Sequence, residues 1–285
     1  MKRFLTIVLS VAILLGLHSC GKNSTEPENQ PPVSQDTLSL PGWELIWHDE
    51  FSGSEINAAN WNHEQGGWGW GNNELQYYTN RPENSFVENG KLVIVARKEN
   101  YNGNAYTSAR LTTQWKFTTK YGRVEARIRL PYGQGLWPAF WMLGESISTV
   151  GWPACGEIDI LEMIGGGENR DDTVYGTAHW FESASAGHQH QGGYVELPDP
   201  YYFSDAYHTF AIEWDSGEIR WFLDGQQYFS FDITPASRSE FHAPFFLILN
   251  VAVGGDWPGA PSASTVFPQR MEVDYVRVYQ KSSGN

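Results

Sequence analysis

The sequence predicts an all-β domain, a sandwich or jelly roll of two packed antiparallel sheets. From Trp43 onward the chain is a succession of short segments alternating apolar and polar residues, separated by turn-forming residues. No long stretch carries the 3.6-residue period of a helix. A run of about 240 residues built this way needs two layers to bury its apolar faces.

In chain order, Phe86–Arg97 reads as a strand centred on Lys91-Leu92-Val93-Ile94-Val95-Ala96, and Ala109–Phe117 as the next. Gly122–Leu130 is the clearest, because Val124, Ala126 and Ile128 alternate with Arg123, Glu125, Arg127 and Arg129. Ala139–Leu143, Thr173–His179, His208–Trp214, Glu218–Leu223, Phe245–Val253 and Met271–Tyr279 complete the set. Ser237–Phe241 has room for one helical turn, and there is no internal repeat. Curvature in one sheet would supply a concave substrate cleft.

The N-terminus reads as an address. Lys2 and Arg3 precede an apolar run from Phe4 to Leu17, the pattern of a secretory signal, and Leu17-His18-Ser19-Cys20 resembles a bacterial lipoprotein cleavage site. The expected organisation is a signal peptide over 1–19, a lipidated Cys20 and flexible linker over 20–41, a catalytic domain over 42–281 and a tail over 282–285. Residues 21–40 have a polar, Pro-containing tether composition. Export is implied, with lipid anchoring at an outer membrane or cell surface, or else periplasmic location or secretion. The other cysteine, Cys155, reads as a small buried hydrophobe, since no His or second Cys is placed to make it a nucleophile.

Composition bounds the substrate. The formal charge is −14, and loss of residues 1–19 takes Lys2 and Arg3 and makes it −16. Nucleic acid is excluded as a partner, since phosphate binding needs clustered Lys and Arg. The chain holds 13 Trp, and several sit beside polar residues in Gly-rich segments, Gly66-Gly67-Trp68-Gly69-Trp70-Gly71-Asn72-Asn73-Glu74 and Gly135-Leu136-Trp137-Pro138-Ala139-Phe140-Trp141. Such loops suit sugars, whose apolar ring faces pack on indole while neighbouring polar groups take the hydroxyls.

The segment Gly156-Glu157-Ile158-Asp159-Ile160-Leu161-Glu162-Met163 places three acids in an apolar strand pattern. Glu157 and Asp159 share a face, whereas in a regular strand Glu162 would fall on the isoleucine face, where an unpaired carboxylate costs several kcal/mol. A β-bulge near Ile160–Leu161 returns Glu162 to the face of the other two. Crowded carboxyls raise one another's pKa, which suits acid–base work, and a retaining glycosidase uses a pair roughly 5–5.5 Å apart. A calcium or salt-bridge cluster on a solvated face is the alternative.

The same stretch, with Leu136-Trp137-Pro138-Ala139-Phe140-Trp141-Met142-Leu143 before it, resembles glycoside hydrolase family 16, specifically its bacterial laminarinase type. The likeness extends through Trp47-His48-Asp49-Glu50-Phe51, Asn72-Asn73-Glu74-Leu75-Gln76-Tyr77-Tyr78, Ser108-Ala109-Arg110-Leu111, Gly176-Thr177-Ala178-His179-Trp180, Leu249-Asn250-Val251-Ala252-Val253-Gly254-Gly255 and Met271-Glu272-Val273-Asp274-Tyr275-Val276-Arg277-Val278-Tyr279. It implies a β-jelly-roll and a retaining endo-β-1,3-glucanase that also cuts mixed-linkage glucan, with β-glucan polysaccharide as partner and no catalytic cofactor. Glu157 would be the nucleophile, Asp159 its assistant and Glu162 the acid/base, and the six-residue motif is the bulged form of the laminarinases. The resemblance also implies substrate contacts from Asn73, Arg110, Trp137, Trp141 and His179, with His179 near the acid/base. A structural calcium ion would sit at Glu50, the Gly90 carbonyl and Asp274, tying the chain ends together. The chain is expected to act as a monomer.

His188-Gln189-His190-Gln191 has metal-ligand spacing but reads as a solvated loop. The competing functions are a non-catalytic β-glucan-binding jelly roll, a calcium-dependent adhesion sandwich and a family 16 hydrolase acting on a galactan. The galactan reading would want more Lys and Arg for sulfate.

Overall fold

The computed structural model describes residues 38–166 and 170–282, so the expected signal peptide, Cys20 and most of the linker lie outside the described residues, as do 283–285 of the tail. Two sheets pack face to face. One has ten strands in the order β15 (Gln226–Asp232), β14 (Glu218–Leu223), β13 (His208–Trp214), β8 (Gly122–Arg129), β17 (Gln269–Lys281), β5 (Lys91–Tyr101), β6 (Asn104–Ser108) and β3 (Gln76–Tyr78), with β1 (Trp43–Asp49) beside β17 and β4 (Ser85–Glu88) beside β5. The other has seven, in the order β12 (Gly187–Glu196), β11 (Thr173–Ser183), β10 (Glu157–Glu162), β9 (Leu136–Gly144), β16 (Phe245–Val253), β7 (Arg110–Thr112) and β2 (Asn62–Glu64). This is the expected β-jelly-roll sandwich, antiparallel except where β3 pairs with β6.

Alternation along β8 explains its place. Val124, Ala126 and Ile128 are fully buried in the core between the sheets. On the outer face Arg123 pairs with Glu125 and Glu213, Arg127 with Asp274, and Arg129 with Glu272. β16 has no such alternation, and all nine of its residues are buried. Leu247, Leu249, Val251 and Val253 enter the main core, while Phe246 and Ile248 join Leu143 and Cys155 in a smaller cluster on the opposite side of the sheet. Both faces of the seven-stranded sheet are therefore covered along β16, and what covers the outer face is the wall of the site.

Several expected strands are corrected. Phe86–Arg97 is two strands of a hairpin, β4 and β5, turned at Asn89-Gly90, where both residues have positive φ (52° and 69°). Asn-Gly is the sequence that such a two-residue turn favours. The expected strand Ala109–Phe117 stops at Thr112, because Gln114–Lys116 form a turn in which Trp115 takes φ 63° and lies 81% exposed. The single turn expected at Ser237–Phe241 is a 3₁₀ helix, Ala236–His242, anchored by buried Phe241. Cys155 is buried as expected, and burial with nearby Glu157 pushes its thiol up to about 11, so it stays protonated.

The three residues of the expected calcium site meet different partners. Arg277 donates to both carboxylate oxygens of Glu50, at 2.8 Å each. Asp274 Oδ2 accepts from Arg127 at 2.7 Å, while its Oδ1 has a looser contact of 3.7 Å with Lys91, next to Gly90 in the β4–β5 turn. Both Asp274 oxygens thus face cationic side chains, Oδ1 the more loosely.

Candidate active site

β10 carries the three acids and is irregular where the sequence requires it. Against β9, Asp159 faces Trp141 and Leu161 faces Phe140, so two steps on β10 match one on β9. Against β11, the pairs Asp159–Thr177 and Glu162–Tyr175 show the same single extra residue. Ile158, Ile160 and Leu161 all point into the main core. The bulge therefore keeps Glu162 on the face of Glu157 and Asp159, away from the core. Gly156 launches the strand at φ 78°, where a Cβ would come within 2.9 Å of Phe245 and Glu240 side-chain atoms, so only glycine fits.

Each acid has a different hydrogen-bonding environment. Trp152 Nε1 donates to Glu157 Oε2 at 3.1 Å, and Trp137 Nε1 donates to Glu162 Oε1 at 2.9 Å. Asp159 is the most buried, its side chain 3% exposed. His179 Nε2 lies 3.1 Å from Asp159 Oδ2 and 3.8 Å from Glu157 Oε1. The closer approach lies off the hydrogen-bond direction, so Asp159 Oδ2 is buried without a hydrogen-bond partner. Burial pushes all three carboxyls up. Glu157 is raised well above its ordinary range by desolvation and then by Asp159, and Asp159 is raised well above its own by desolvation. Glu162 is pushed up to about 8 by desolvation and Asp159. A proton held on Asp159 removes its repulsion of Glu157 and lets Glu157 ionise.

Two adjoining cavities, about 320 and 560 Å³, meet at these acids and share Asn72, Trp137, Trp152, Glu157 and Glu162 as lining. The first runs over β9, β16 and β7 past Trp141, Arg110, Trp70 and Asn250. Arg110 is clasped between the Trp70 and Trp141 rings, 4.8 and 4.7 Å from their centres, and pairs with Glu64. Each cation–π contact adds about 0.5–2 kcal/mol. Trp141 Nε1 donates to Asn250 Oδ1 at 2.7 Å, Asn250 donates to Tyr78 at 3.1 Å, and Tyr78 donates to Glu74 at 3.3 Å. This buried chain fixes the Trp141 ring from behind. The second cavity runs over β11 and β12, past Tyr175, Trp257, His179, His188 and His190.

Trp137, Trp141 and Arg110 all line the first cavity. Asn73 does not: its amide donates to both carboxylate oxygens of Asp256, and the neighbouring Asn72 lines the cavities instead. His179 stands opposite Glu157 in the strand register, whereas Glu162 stands opposite Tyr175, and His179 and Glu162 both line the second cavity. The segment 188–190 is part of strand β12, not a loop. Sequence reasoning missed Trp152, Asn250, Tyr175 and Trp257. Only the first had a local signal, a Trp five residues before an acid.

Residues 72–277 match the family model for glycosyl hydrolases family 16. The chain belongs to that family. Within family 16 it is 44% identical over 252 residues to a beta-glucanase of Rhodothermus marinus, covering 84% of this chain and 86% of that one. It is 43% identical over 249 residues to the clotting factor G alpha subunit of Tachypleus tridentatus, covering 85% of this chain but only 35% of that longer protein. The catalytic domain of an endo-1,3-beta-glucanase (laminarinase) from Thermotoga petrophila superposes with a TM-score of 0.77 at 49% identity, over 85% of this chain and 99% of that one.

Proposed function

We propose that this family 16 protein is an endo-acting retaining β-1,3-glucanase of laminarin-type glucans that also cuts mixed-linkage β-1,3-1,4-glucan. The observation that carries this is the bulged strand that turns Glu157, Asp159 and Glu162 to one face, between two aromatic-lined cavities. The likeness to the Thermotoga petrophila laminarinase domain supports the substrate class.

In this mechanism Glu157, oriented by the Trp152 N–H, attacks the anomeric carbon. Glu162, oriented by the Trp137 N–H, gives its proton to the departing glycosidic oxygen. A glycosyl ester forms on Glu157; Glu162, now ionised, takes a proton from water, which attacks the same carbon and frees Glu157, so configuration is retained. Asp159 keeps its proton so that Glu157 carries the charge. Trp141 and Arg110 hold glucosyl units on the non-reducing side, and Tyr175 and Trp257 receive the leaving chain.

Incubation with laminarin and with barley mixed-linkage glucan tests the reading. Oligosaccharides whose new reducing ends are β at the earliest times by proton NMR are expected. Intact polymer, or products that begin as α, would sink it.

The calcium ion implied by the family resemblance is proposed at Glu50, the Gly90 carbonyl and Asp274, whose carboxylates now pair with Arg277, Arg127 and Lys91. Bound there it would support the β4–β5 turn against the last strand, far from any chemistry. Treatment with EDTA is expected to lower Tm by several degrees, roughly 2–4 °C per kcal/mol lost, with CaCl2 restoring it. An unchanged melting curve would remove calcium from the account. Export on a signal over residues 1–19, anchoring through a lipid on Cys20, and a monomeric state are likewise proposed, the first two from the sequence pattern.

A further inference from the structure

We propose that His179, His188 and His190 form a site for a nitrogen-preferring transition dication such as Zn²⁺, set beside the acids in the second cavity. β11 and β12 pair so that His179 faces His190, and His188, two residues along, lies on the same side. One ring nitrogen from each of the three lies within 4.8 Å of the others. Tetrahedral zinc with bonds of about 2.0–2.1 Å wants ligand nitrogens about 3.3 Å apart. The remaining adjustment falls on His188 and His190, which are exposed on the edge strand of the sheet.

His179 has a carboxylate beside one ring nitrogen and a second histidine at the other. Its Nε2 lies 3.1 Å from Asp159 Oδ2, off the hydrogen-bond direction, and its Nδ1 lies 2.9 Å from His188 Nε2. A carboxylate behind one ring nitrogen with the other presented forward is the arrangement that orients metal-binding imidazoles. Three imidazoles select zinc, nickel or copper over calcium or magnesium, which prefer oxygen. The nitrogens now within contact distance of one another would turn from each other to the ion, and water would complete the coordination. The consequence for turnover rests on the function proposed above. A dication here fills the leaving-chain side of the cavity that Glu157 and Glu162 also line, and so obstructs the path of the departing glucan.

Titration of the untagged protein with ZnCl2 by isothermal calorimetry tests the site. One ion per chain is expected, with affinity at least about 10-fold weaker in His188→Gln/His190→Gln. Equal affinity in that variant, or no binding at millimolar zinc, would overturn the proposal. If the double variant does not fold, wild type loaded with Co²⁺ decides: the strong visible absorption of a four-coordinate site supports it, and only the weak bands of octahedral cobalt overturn it. Saturating zinc should slow laminarin hydrolysis at least about 10-fold, reversibly with EDTA. Stoichiometric binding through these histidines without inhibition would uphold the site and count against the function assigned to the cavity.

Discussion

Replacing Glu157 by serine is expected to abolish laminarin hydrolysis, lowering kcat at least about 10⁴-fold, because no other group on the face of β10 can form the covalent intermediate. Asp159 cannot substitute, since its shorter side chain is buried behind His179. The fold should persist: Glu157 sits at the start of β10, its backbone paired on both sides, and its side chain faces the cavity rather than the core. Added azide gives the result its meaning. In Glu157→Gly the small anion can enter from the vacated side and displace an activated leaving group once, so an α-glucosyl azide should accumulate from an aryl β-glucoside. Hydrolysis at wild-type rate by the serine variant, or a β-azide from the glycine variant, would move the nucleophile elsewhere.

The second large effect belongs to Glu162. A proton donor held up to about 8 is charged near neutrality only in part, so wild-type activity should fall as pH rises through about 8. In Glu162→Gln that alkaline limb should vanish, and turnover of polysaccharide should drop by about 10²–10⁴-fold. Formation of the glycosyl intermediate from dinitrophenyl glucosides, which need no protonation, should survive. The same shift bears on stability. Between the ordinary carboxyl value of 4.5 and about 8 the folded protein binds this proton more tightly than the unfolded chain does. Stability therefore declines as pH climbs through that window, and the loss is complete above it. Glu162→Gln should melt higher than wild type at pH 9 and close to it at pH 4. A variant that keeps the alkaline limb, or that gains no stability at pH 9, would show that Glu162 is not the raised group.

The acids and the bulge were legible because strand periodicity leaves no other place for Glu162: a carboxylate five positions after Glu157 contradicts the isoleucine face unless one residue is extra. Val124, Ala126 and Ile128 were equally plain for the same reason. Other features were not. The Asn89-Gly90 turn is masked by apolar residues on both sides, and Trp115, a residue type favoured in strands, ends one through its positive φ. The pairing of His179 with Glu157 is not written in either segment alone, since strand register is a long-range property that no local pattern states. Asn72 and Asn73 are interchangeable in composition. Only the turn geometry, with Asn73 at φ 56° and bound to Asp256, decides which side chain reaches the cavity.

The bulge also says what the motif must preserve. Glu157, Asp159 and a third acid at position 161 would share a face on a regular strand, at offsets of zero, two and four. Here the offset is five, and the step at Ile160 absorbs the odd residue. The invariant is therefore parity rather than distance along the chain. A segment can lose its extra residue together with the kink and still present the same three groups to the same space, whereas an uncompensated insertion would turn the last one inward among Ile158, Leu161 and their neighbours.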